Sequence, residues 1–140
     1  MRWLWSSLFI AAVVIAGLAT ASAEQGDKKV DLLAGNSLAG WDVFLVDSKV
    51  KKEDVWSLKD GVLVCKGEPL GYLYTKQQFK NFKLTLQWRW APGKEPGNSG
   101  VLLRIAGDAV TFLPKCAEAQ LKSGSAGDIW GFYGYQLKGD

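Results

Sequence analysis

The chain has 140 residues, which suits one domain, and 48% of them are hydrophobic, enough to build a core. Its net charge of +3 comes from 17 basic and 14 acidic residues that are interspersed, which argues against the dense basic stripe of a nucleic-acid footprint. Histidine is absent, so no Ser/His/Asp or Cys/His catalytic set can be assembled, and any metal would need oxygen ligands or the two cysteines.

The first segment, "MRWLWSSLFIAAVVIAGLATASA", has Arg2 near its start, then a long apolar run, then small residues. Ala21-Ser22-Ala23 fits the small-x-small pattern of a signal-peptide cleavage site, so residues 1–23 are expected to be an export leader. The competing reading is a membrane-anchor helix, since the run is nearly long enough to span. The polar "EQGDKK" that follows favours cleavage, with no stable membrane anchor afterwards and a periplasmic or extracellular location. Export permits disulfides, but spacing alone leaves a Cys65–Cys116 bridge open.

Residues 24–30 read as a polar linker, and the domain is expected over 31–140. From there the chain is a series of short strand-like runs. "WDVFLV" is aromatic and β-branched. Lys49, Lys51 and Lys52, followed at once by Glu53 and Asp54, read as a solvated loop. "VWSLKDGVLVCKG" predicts a hairpin turning at Asp60-Gly61. "GYLYT" is another short strand. In "NFKLTLQWRW", Phe82, Leu84, Leu86, Trp88 and Trp90 alternate with Lys83, Thr85, Gln87 and Arg89, the pattern of a half-buried antiparallel strand.

"APGKEPGN" is a Pro/Gly loop, and "SGVLLRIAG" and "EAQLKSG" are further strands. The tail "GDIWGFYGYQLKGD" has room for one more short strand and a loop. No amphipathic helix is predicted after the leader. Many short strands with polar turns indicate an all-β sandwich or barrel.

Three groups of residues could carry chemistry. In "GNSGVLLR", extended backbone would place Asn98, Gly100, Leu102 and Arg104 on one face, with Gly100 leaving that face open to a close approach. The bland alternative is a turn whose Asn98 and Ser99 satisfy local amides. In "CAEAQLKSGSAGD", Glu118, Gln120 and Lys122 share a face, as a ligand-facing or a solvent-facing strand would show. Asp128 ends the flexible loop and could offer oxygen to a cation, though no EF-hand spacing is present. Trp130, Phe132, Tyr133 and Tyr135 sit among glycines, either as sugar-stacking rings or as plugs at a sandwich end. Trp88 and Trp90 read as core by parity.

Taken together, "LLAGNSLAGWDVF", "VWSLKDGVLVCKG", "GYLYTKQQFKNFKLTLQWRW", "GNSGVLLR" and "EAQLKSGSAGDIW" resemble, in this order, the 3-keto-disaccharide hydrolase domain family. The resemblance covers roughly Asp31 to Asp140. It implies a concanavalin-like, antiparallel jelly-roll β-sandwich. Family domains are usually longer, so closing strands are expected to be missing at the C-terminus. Gln87 stands where many members carry a carboxylate, which weakens any catalytic claim for it.

The resemblance implies cleavage of glycosides whose sugar carries a ketone at carbon 3. Such a ketone acidifies the C2 hydrogen; a base removes it, an electropositive group holds the enolate, and the C1 oxygen leaves. Joined to strand parity, this points to Glu118 as base and Arg104 as enolate partner, with Asn98, Gln120, Asp128 and Trp130 binding substrate. The expected partner is a 3-keto sugar, not nucleic acid. No cofactor is predicted, and nothing in the sequence indicates a divalent cation, although one could be bound. The rival readings are a non-catalytic carbohydrate-binding module, which the same fold serves equally well, and an inactive fragment.

Overall fold

The computed structural model describes residues 14–17 and 28–138. Among them the strands are β1 (Val14–Gly17), β2 (Lys28–Asp31), β3 (Trp41–Leu45), β4 (Trp56–Lys59), β5 (Val62–Cys65), β6 (Gly71–Thr75), β7 (Phe82–Thr85), β8 (Gly100–Ala109), β9 (Pro114–Gln120) and β10 (Ile129–Phe132). Every pairing is antiparallel, in the orders β2-β1-β7, β10-β9-β8, β3-β6 and β4-β5. The all-β, antiparallel expectation is met. Among the described residues the helical content is one 3-10 turn at Ala34–Asn36 and one turn of α-helix, α1 (Lys52–Val55).

The predicted hairpin forms as its turn residues dictate. Lys59 pairs with Val62, leaving a two-residue loop in which Asp60 (φ 51°) and Gly61 (φ 74°) are both left-handed. Two positive φ values match the right-handed twist of the flanking strands, and Asp-Gly is a pair that tolerates them. Just before it, the Asp54 carboxylate accepts the Lys51 N–H at 3.2 Å and starts α1. Lys52 departs from the solvated-loop expectation. Its ammonium donates to the carbonyls of Leu38 (3.1 Å) and Trp41 (2.9 Å), clamping the chain that enters β3.

β3, β4, β5 and β6 enclose the apolar core. Leu33, Leu45, Val55, Trp56, Leu63 and Cys65 are buried there, with Trp41, Val43, Leu58 and Leu73 packed around them. The Trp41 indole N–H is satisfied by the Leu32 carbonyl at 2.8 Å, so this large, half-buried ring packs on the core without an orphaned donor. The alternation of "NFKLTLQWRW" persists in burial from Phe82 to Trp90, but the paired strand β7 ends at Thr85. Its ladder to β1 is only four residues long, and beyond it the chain keeps the two-residue period without that partner.

Two features differ from the expected boundaries. Lys28–Val30, expected as linker, belong to β2. Within the expected leader, Val14–Gly17 form a strand between β2 and β7, while residues 1–13, 18–23 and the expected cleavage junction lie outside the described residues. No helix among the described residues is long and apolar enough to cross a membrane. Cys65 and Cys116 are both free and buried.

Candidate functional site

The sheet β10-β9-β8 holds Arg104, Glu118, Gln120 and Trp130 of the residues singled out by the sequence. β9 is its central strand and is buried along most of its length. Its ladders align Leu102, Glu118 and Trp130 in one rung, because Leu102 and Trp130 are both directly opposite Glu118. Directly opposite residues present side chains to the same face, so Trp130 flanks Glu118 on that face. The next rung on the same face pairs Gly100 with Gln120.

Gly100 leaves a gap on this face, and the Glu118 carboxylate fills it. A Cβ at position 100 would collide with Glu118 Oε1, Cδ and Cγ. The sequence indicated an open position; the occupant is a side chain two positions along the opposing strand from the residue Gly100 faces. The lack of a side chain at position 100 therefore lets a carboxylate lie across the β8 backbone.

Glu118 is 8% exposed and Gln120 9%, a buried acid and amide side by side. Gln120 is the more tightly held. Its Oε1 accepts the backbone N–H groups of Leu121 and Lys122, each at 2.9 Å, and this orientation turns Nε2 towards Glu118 Oε2 at 3.4 Å. With its carbonyl end committed to the backbone, Gln120 positions the carboxylate. Burial raises the Glu118 carboxyl above the ordinary glutamate value. Burial first, and then the Glu118 charge, raises the Cys116 thiol on the same strand.

Arg104 departs from simple parity. Its φ is 57°, and the register slips between Leu103 and Ala106, so β8 bulges there and the alternation that begins at Gly100 is interrupted. A left-handed conformation costs a non-glycine residue roughly 1–2 kcal/mol. The bulge re-aims the guanidinium, which lies 5.6 Å from the centroid of the Phe82 ring on β7, with the residue exposed.

The remaining predicted residues lie at the periphery. Trp130 is 52% exposed, so its ring is available to a ligand. Asp128 is exposed; its carbonyl accepts the Gln120 N–H at 2.9 Å and its own N–H donates to Ser125, closing the loop between β9 and β10. Asn98 is exposed in the Pro/Gly loop, next to Ser99, whose carbonyl accepts the Leu121 N–H at 2.8 Å and ties that loop to the end of β9. Glu118, Gln120 and Trp130 thus come together around Gly100, with Asp128 and Asn98 on the adjoining loops and Arg104 at the bulge.

Tyr72 was not singled out by the sequence. Its hydroxyl is raised by burial first, and then by Tyr74, Asp108 and Cys116. The available signal was the period-two spacing of the tyrosines in "GYLYT", but no local pattern says which sheet they meet. Among the described residues, no group of three or more Cys, Asp or Glu side chains is placed to hold a metal ion.

The 3-keto-disaccharide hydrolase family, described as the 3-keto-alpha-glucoside-1,2-lyase-like domain, matches residues 28–138. The match spans most of the chain, and the protein belongs to this family. Its fold is accordingly the concanavalin-like, antiparallel jelly-roll class. No curated protein and no solved structure matches the chain significantly.

Proposed function

We propose that the protein cleaves 3-keto-glycosides, with 3-keto-disaccharides as the substrate class, by elimination and hydration. The observation that carries the reading is the Glu118 carboxylate, buried across Gly100, oriented by Gln120 and flanked by the exposed ring of Trp130. Its raised proton affinity suits a general base, since a carboxylate that binds a proton more tightly removes one from carbon more readily.

In this reading Glu118 takes the C2 hydrogen, and the electron pair of that C–H bond forms the C2–C3 enolate. Arg104, the one guanidinium on the three strands, stabilises the enolate oxygen. The enolate collapses, the C1–O bond breaks, and the proton held by Glu118 neutralises the departing alkoxide. Water then adds at C1 of the enone and a proton returns to C2, giving the 3-keto sugar. This route uses one base and one oxyanion partner, where ordinary glycosidases need two carboxylates flanking the bond. Trp130 stacks on the sugar, and Asn98 and Asp128 bind hydroxyls from the loops. The leader-like first 23 residues support an exported, periplasmic or extracellular setting.

The test is incubation of the folded protein with 3-keto-trehalose, following released sugar. Wild type should release it, and Glu118→Gln, similar in shape and uncharged, should lower turnover by about 10²–10⁴-fold. Undiminished turnover in Glu118→Gln removes Glu118 from the mechanism. Saturable binding of unoxidised glycans without product would instead identify a carbohydrate-binding module.

A further inference from the structure

The Pro/Gly loop of residues 91–99, which leads into β8, is held at three points. At its start Ala91 is buried, and its carbonyl accepts the Lys94 N–H at 3.3 Å. Further along, Gly97 lies against the ring of Trp90. A Cβ at position 97 would be 3.4 Å from Cζ3 and 3.7 Å from Cη2, the outer edge of the indole. Trp90 is half-buried and braced edge-on by Trp88, with centroids 5.6 Å apart and planes at 80°. At the end of the loop the Ser99 carbonyl accepts the Leu121 N–H at 2.8 Å.

That last contact is shared with the reaction site. The Leu121 N–H that donates to Ser99 also donates to Gln120 Oε1 at 2.9 Å, and Gln120 Nε2 reaches Glu118 Oε2 at 3.4 Å. One residue on from Ser99, Gly100 leaves the space in which the Glu118 carboxylate lies. An unbroken run of contacts thus leads from the Trp90 ring through Gly97 and Ser99 to the Leu121 N–H, and from there through Gln120 to the carboxylate. Loops are the mobile parts of a fold, and a reacting group needs neighbours that are themselves locked in place. The indole supplies a rigid surface on which this loop rests.

We infer that Trp90 is a positioning residue for the base: its ring seats the 91–99 loop, and the seated loop fixes Gln120 and so Glu118. The inference rests on the reaction proposed above, in which Trp90 touches no reacting atom. The same seat presents Asn98, which lies between Gly97 and Ser99, to the substrate.

Turnover of 3-keto-trehalose well below the melting temperature of each variant tests the role, because a merely structural tryptophan would lower stability and leave kcat unchanged. Trp90→Ala should lower kcat by about 10²-fold, the size expected when a reacting group is misplaced. Trp90→Phe keeps a ring against Trp88 but lacks the outer edge that meets Gly97, and should lower kcat about tenfold by the same argument. Leu63→Ala, destabilised in the apolar core, should keep the wild-type kcat. Added to Gln120→Ala, Trp90→Phe should cost less than about twofold more in kcat, since both act through one contact run. Wild-type kcat in the Trp90 variants, or losses that multiply in the double variant, overturns the inference. Amide hydrogen exchange reads the same seat without turnover: Leu121 should exchange about tenfold faster in Trp90→Phe than in wild type, with the β4-β5 amides unchanged. Unchanged exchange at Leu121 also overturns it. If wild type cleaves nothing, the proposed reaction fails separately, and exchange at Leu121 alone decides whether Trp90 holds the loop against Gln120.

Discussion

Cys65 and Cys116 are both free and buried, yet their surroundings differ. Cys65 sits among Leu33, Leu45, Val55, Trp56 and Leu63, and its sulfur accepts the Gly67 N–H at 3.3 Å. Burial is the main influence on that thiol, and it is raised. Cys116 is wholly buried beside a carboxylate, so charge adds to the effect of burial. The first region is an ordinary apolar interior that hides hydrocarbon from water. The second hides an acid and an amide on the central strand of a sheet. Burying a carboxylate is costly unless it is paired and hydrogen-bonded, and among the described residues the one side-chain hydrogen bond to Glu118 comes from a neutral amide. That contrast separates the part of the molecule organised for stability from the part organised for chemistry.

The contrast can be broken most forcefully from the stable side. Leu63→Ala removes a buried side chain from the apolar core and should destabilise the fold by about 2–5 kcal/mol. Chemical denaturation would read the loss as a lower midpoint. A change near zero would mean that this region is not the main source of stability.

Gly100→Ala attacks the other side. The added methyl displaces the Glu118 carboxylate and should cost about 1–3 kcal/mol of stability, with loss of turnover. The double variant Gly100→Ala/Glu118→Ala should recover most of that stability without recovering activity. If the two losses simply add in denaturation experiments, the carboxylate does not occupy the space above Gly100.

A smaller effect should appear in the pH dependence of stability. The folded state raises the proton affinity of Glu118, so its favourable contribution is complete below the ordinary value of 4.5 and is lost as pH rises through the raised folded value. Wild type should therefore lose melting temperature relative to Glu118→Gln across that interval. Parallel melting curves for the two proteins would place Glu118 in water. The smallest change is expected for Trp130→Ala. The ring is half exposed, so stability should move by only about 0.5 kcal/mol or less while sugar affinity falls. A large drop in melting temperature would make Trp130 a packing residue.

Much of the architecture was legible because its signals are local. Alternation located the half-buried positions from Phe82 to Trp90, and Asp60-Gly61 specified its own turn. The site was only partly legible. Gly100 advertised an open position, but its occupant belongs to another strand and depends on register. The bulge at Arg104 left no trace in the sequence, since arginine has no preference for positive φ and the conformation is imposed by pairing with β9. Phe44 on β3 stacks on Tyr72 on β6, nearly thirty positions away, so neither strand alone reveals the contact. β1 falls in a segment whose composition reads as a leader, and its pairing with β2 and β7 depends on contacts far along the chain.

The central claim is that a buried carboxylate removes the C2 hydrogen before the glycosidic bond breaks. Turnover of 3-keto-trehalose in deuterium oxide, stopped early and analysed by NMR, tests it directly. Wild type should release a 3-keto sugar carrying deuterium at C2, above the level of a no-enzyme control, and Glu118→Gln should release almost none. Release of a keto sugar that retains its original C2 hydrogen, or deuterium incorporation as rapid with Glu118→Gln as with wild type, would contradict the account.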